Sequence, residues 1–133
     1  MNYTIYSLIA LIFWGIWAYL CKVLTKHLST ELLAFYTTLG SLIAITIYTL
    51  FRTKIILNAY TGWAMLTGIS AMVATFAFYV ALAKGPASVV VPWTGLYIII
   101  PVILGFIFLS EPITINHIFG IIFAIASIFF LSR

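Results

Sequence analysis

With 133 residues, 65% of them hydrophobic and only 6% charged, the chain departs from soluble domains, which carry about 45–50% apolar and about 25% charged residues. So few charges cannot coat a water-exposed globule, which excludes a soluble fold and leaves lipid as the outer solvent. The net charge of +4 comes from scattered Lys and Arg, which excludes a nucleic-acid surface and sets single positive charges at helix ends near lipid headgroups.

A helix needs about 20 apolar residues to cross roughly 30 Å of hydrocarbon, and the polar punctuation cuts this chain into pieces of that size. The first run, 3–21, ends at Lys22, and Lys26, His27, Ser29 and Thr30 form a polar break after it. The amino-terminal stretch has no positive region and no small-residue cleavage site follows it, so the first helix is expected to be retained. The second run, 31–51, ends at Arg52 and Lys54. It opens on a glutamate, which raises the alternative of an interfacial segment and four spans, but its length and apolarity favour a fifth span.

The third run, 59–83, stops at Lys84-Gly85-Pro86, since proline disfavours helical geometry in the residue before it. The fourth, 87–109, contains Pro92 and Pro101 and halts at Ser110-Glu111-Pro112. Thr114 is placed to cap the fifth, 115–131, by offering its hydroxyl to the first free amides. The expected fold is one all-α transmembrane domain over residues 1–133, a bundle of about five helices joined by short loops that make neighbours antiparallel.

Chemistry-bearing residues are sparse. Glu31 and Glu111 are the only acids and His27 and His117 the only histidines, all near helix boundaries, so neither a carboxylate pair nor a catalytic triad can be assembled. Cys21 is the single cysteine, which precludes an internal disulfide and a cysteine-based metal site. The expectation is a protein that is no enzyme and uses no metal or cofactor.

Three helical stripes remain. Trp14, Trp17 and Cys21 recur at three and four residues on the first helix, either as packing or lipid-facing aromatics or as a stacking wall for an organic ligand. Thr75 and Tyr79 stand one turn apart on the third; the Tyr79 hydroxyl serves a substrate or a neighbouring helix equally well, whereas packing is the favoured reading for Thr75, since buried threonine bonds its own helix backbone. Trp93, Tyr97 and Pro101 share a face of the fourth. Pro101 removes a backbone hydrogen bond, as in a packing kink or a broken helix lining a cavity. The small pairs Ala77 and Ala81, and Gly120 and Ala124, are candidate close helix contacts.

The stretch Phe78-Tyr79-Val80-Ala81-Leu82-Ala83-Lys84, then Pro101-Val102-Ile103-Leu104-Gly105 and Glu111-Pro112, with Trp14-Gly15 and Lys22 before them, resembles one repeat of the EamA domain of the drug/metabolite transporter superfamily. The resemblance implies a transporter of a metabolite or drug-like compound, with a site near mid-membrane between two repeats. Members commonly fuse two five-helix repeats, whereas this chain carries one. The related four-helix small multidrug resistance proteins use a membrane-embedded glutamate in their first helix, and the first helix here has no acid.

An odd number of spans means that a second repeat in a fused pair enters the membrane inverted. Arg52 and Lys54 fall on one side, and Lys22, Lys26, Lys84 and Arg133 on the other. That bias is small once the amino terminus joins the first side. It is compatible with insertion in both orientations and runs mildly against the cytoplasmic amino terminus that the resemblance implies.

The expected protein is thus a half-size transporter acting by alternating access as a homodimer, or as a heterodimer with another five-helix chain, in a prokaryotic cell membrane. Trp14, Trp17, Tyr79, Trp93, Tyr97 and Pro101 are the candidate substrate contacts, and Lys22 a helix-end charge for an anionic group. The substrate class is neutral, zwitterionic or amphipathic, because no acid is expected at mid-depth. The alternative is a non-transporting subunit that packs against a partner membrane protein.

Overall fold

In the computed structural model, residues 3–131 are described, and all regular structure among them is helical. The helices are α1 (Tyr3–Leu24), α2 (Thr30–Arg52), α3 (Ala59–Lys84), α4 (Ala87–Gly95), α5 (Ile99–Leu109) and α6 (Ile115–Leu131), with a 3₁₀ turn at Leu96–Ile98. Arg133, one of the basic residues weighed above, lies outside the described residues. The chain forms two compact units, one up to Lys84 and one from Gly85 onward.

In the first unit α3 packs against both α1 and α2. The buried side chains are Ala18 and Cys21 of α1, Leu33 and Ala34 of α2, and Tyr79 and Leu82 of α3. These come from the end of α1, the start of α2 and the end of α3, which antiparallel connection brings to one membrane side. Core packing is therefore concentrated at that end, and the faces of all three helices toward the other end are apolar and exposed, as lipid permits.

Local chemistry sets the helix ends. Ser29 caps α2, its hydroxyl accepting the Leu32 amide at 3.3 Å, so α2 begins at Thr30, one residue before the run expected from the sequence. Replacing Ser29 by alanine is expected to lower thermal stability in detergent by about 1 kcal/mol, measured as the shift in helix melting. Thr114 serves α6 in the same way, accepting the His117 amide at 3.4 Å.

The second unit holds α4, α5 and α6, with α4 packed on α6. The apolar span 87–109, expected to carry either a packing kink or a break at Pro101, is interrupted by the 3₁₀ turn. Between Pro92 and Pro101 the Leu96 amide bonds to the Trp93 carbonyl and the Ile99 amide to the Leu96 carbonyl, the three-residue spacing of a 3₁₀ turn. The reason is Pro101: it has no N–H for the Tyr97 carbonyl, and its ring crowds that oxygen, so the preceding turn tightens.

The α5–α6 corner closes through Ser110, whose φ of 54° is left-handed. The Ser110 amide bonds back to the Gly105 carbonyl, and the Glu111 amide reaches the same oxygen at 3.3 Å. At 17 residues α6 spans about 25 Å, the short end of what crosses a bilayer. Gly120 on α6 has open space where a Cβ would stand, so no close helix approach occurs there among the described residues.

Candidate functional site

Tyr79 is fully buried, and its hydroxyl donates to Thr37 Oγ1 of α2 at 2.9 Å. Thr37 in turn donates back to the Leu33 carbonyl at 2.8 Å. The donor of Tyr79 is therefore engaged in a contact between helices, the packing arrangement of the two its position allowed. A tyrosine so placed joins α3 to α2 through its donated hydrogen bond.

Trp17 lies in the same region and stacks on Phe78, with ring centroids 5.5 Å apart and planes 18° from parallel. It meets Tyr79 at a tilt, centroids 5.9 Å apart. An offset stack of this kind adds about 0.5–1.5 kcal/mol beyond area burial. Trp14, one turn earlier on α1, is 63% exposed, so the Trp14 and Trp17 stripe divides into a packing residue and an open one.

Lys22 closes the packed end of the first unit. Its ammonium donates to the Leu82 carbonyl of α3 at 2.6 Å. Leu82 lies among the last four residues of α3, whose carbonyls lack intrahelical partners, and Pro86, four residues on, has no amide to offer. A cation at that end also meets the negative pole of the α3 dipole. Sequence reasoning had placed Lys22 as a helix-end charge for an anion; the geometry adds a role in tying α1 to α3.

In the second unit Trp93 and Tyr97 are 55% and 54% exposed, on either side of the 3₁₀ interruption, and Pro101 follows on α5. Exposed aromatic rings beside irregular backbone provide flat apolar faces together with a carbonyl of Tyr97 that the proline ring leaves without its helical amide. No metal-binding group of three or more His, Cys, Asp or Glu occurs among the described residues.

One grouping escaped the sequence reading. Val102, Phe106, Glu111, Pro112, Ile113 and His117 line a cavity of about 280 Å³ at the α5–α6 corner. Glu111 and His117 are six residues apart, a spacing that suggests nothing until the corner at Ser110 folds them together.

The fold is that of a multi-pass α-helical membrane protein: four helical runs, Ala87–Leu109 counted as one, are long and apolar enough to cross a bilayer, and the shorter apolar α6 follows. The chain matches the EamA-like transporter family over residues 1–133, and it belongs to that family. It is also similar to an uncharacterized protein of Methanocaldococcus jannaschii, 26% identical over 129 residues, 96% of this chain and 94% of that one. No solved structure matches it. The family is one of drug/metabolite-type transporters, which work in a lipid bilayer on small molecules.

Proposed function

We propose that the chain is a half-size transporter that moves a small organic metabolite by alternating access, working as a dimer in a prokaryotic cell membrane. The observation that carries this reading is the broken helix of the second unit, where the 3₁₀ turn at Leu96–Ile98 interrupts an otherwise continuous span. Discontinuous spans are favoured where a membrane protein exposes backbone to a substrate and bends between two states. Trp93 and Tyr97 are the aromatic contacts, and Pro101 keeps the backbone open beside them.

In the first unit Trp14 is the exposed aromatic candidate, while Trp17 and Tyr79 act from behind as the packed support of α3. A single repeat needs a second copy, or a sister chain, to complete the two-repeat arrangement usual in the family. The relative in Methanocaldococcus jannaschii, matched over 94% of its length, is of similar size. The same single repeat favours one other reading, a non-transporting subunit that stabilises a partner membrane protein.

Transport by the purified chain in proteoliposomes separates the two. With a panel of neutral and zwitterionic amphipathic compounds, wild type is expected to take up at least one, and Tyr97→Ala and Trp93→Ala to reduce its uptake about tenfold or more. Uptake unchanged in both variants removes this site assignment. No uptake, together with a stoichiometric partner on co-purification, favours the subunit.

A further inference from the structure

The cavity at the α5–α6 corner plays no part in the transport reading. Glu111 is the only acid in the second unit; it is exposed, and its carboxylate lies back along α5. Its Oε2 stands 2.7 Å from where a Cβ on Gly105 would be, so the carboxylate fills the space that glycine leaves. Gly105 lies four residues before the end of α5 at Leu109, so the charge is drawn about 6 Å along the helix axis, inward from the end of the span.

Two negative features meet there. The last carbonyls of α5 form the negative pole of its dipole, and the carboxylate rests beside them. The amides of Ser110 and Glu111 are both spent on the Gly105 carbonyl. The first turn of α6 is capped by its own Thr114. His117 Nδ1 accepts the Thr114 amide at 3.3 Å, so that ring nitrogen is engaged at the start of α6. Among the described residues no hydrogen bond or ion pair engages the Glu111 carboxylate. Around it the walls are apolar: Val102, Phe106, Pro112 and Ile113.

A carboxylate against apolar walls, at the negative end of a helix, favours a cation with a hydrophobic body. The volume of about 280 Å³ is at the small end of ligand pockets, room for one short chain and its head group. The ring of Phe106 adds a face for a cation. We propose that this cavity is a binding site for the ammonium group of an amphipathic amine, with Glu111 as counter-charge and Val102, Phe106 and Ile113 against the apolar body. The amine is either free or the headgroup of a phospholipid, and the site is independent of whether the chain transports anything.

Equilibrium dialysis of radiolabelled octylammonium against the full chain in maltoside micelles tests this, with 1-octanol as the uncharged control. Wild type binds octylammonium saturably. Glu111→Gln, which keeps the shape and removes the charge, weakens it tenfold or more while changing octanol binding less than twofold. Gly105→Ala keeps the charge but displaces the carboxylate, and is expected to weaken octylammonium binding as well; this variant carries the test if Glu111→Gln fails to fold. Adding phosphatidylethanolamine or phosphatidylglycerol to the micelles separates the sources. Displacement by the first alone identifies a lipid headgroup, and displacement by neither identifies a free amine. Absence of saturable binding in wild type, or equal binding by folded Glu111→Gln, overturns the proposal.

Discussion

Replacing Tyr79 by alanine is expected to destabilise the first unit by about 3 kcal/mol, read as a lower unfolding midpoint in a detergent titration. The side chain is fully buried where α1, α2 and α3 converge, touching Trp17 and Phe78 and donating to Thr37. Truncation removes that bond, leaves a void and strips one face of the Trp17 stack. The figure is at the low end for aromatic truncations because lipid is as apolar as the core, so packing and hydrogen bonding carry the loss without a transfer contribution. Tyr79→Phe keeps the ring and loses only the hydroxyl, for about 1 kcal/mol. Equal effects for the two would show that the ring is not packed as described.

Lys22→Met is expected to cost about 2 kcal/mol in the same titration, whereas Lys22→Arg, which keeps a cation and N–H donors, recovers at least half of it. The methionine matches the stem and its packing but leaves the Leu82 carbonyl without the donor at 2.6 Å, in a segment where Pro86 cannot replace it. It also removes the positive charge from the C-terminal pole of α3. If binding of an anionic compound were the sole role of this lysine, Lys22→Met would leave the unfolding midpoint of the ligand-free chain unchanged. The two substitutions act on one knot of contacts, so the double variant is expected to lose less than the sum of the singles.

Much of the molecule is legible without coordinates. In a membrane every backbone amide must find a partner inside its own segment, so apolar length and polar punctuation define the helices almost directly. The stop at Lys84-Gly85-Pro86 and the cap at Thr114 follow from one residue's chemistry acting on its neighbours, and both occur where that chemistry puts them. Pro101 likewise announces a missing hydrogen bond. Which turn would yield to it was not legible, because the strain can be relieved at any of several positions before the proline, and it is relieved at Leu96–Ile98.

The candidate side chains divide along the same line. Trp14, Trp17 and Tyr79 look alike in the sequence, as polar-edged aromatics on helical stripes. Only the packing of α3 against α1 and α2 makes Tyr79 core, half-buries Trp17 in its stack on Phe78 and leaves Trp14 open. The lateral partner of a helix face is chosen by the other helices, and local spacing carries no record of it.

The sequence alone therefore determined that this protein spans a membrane, in how many apolar runs, and which family it resembles, because all three depend on composition, length and residues acting within their own helix. The tertiary structure alone decided which aromatics are buried, that Lys22 serves α3, and that Glu111 turns back onto Gly105 beside His117. Those outcomes depend on a left-handed residue at Ser110 and on contacts between helices far apart in the chain, and neither is encoded in any local pattern.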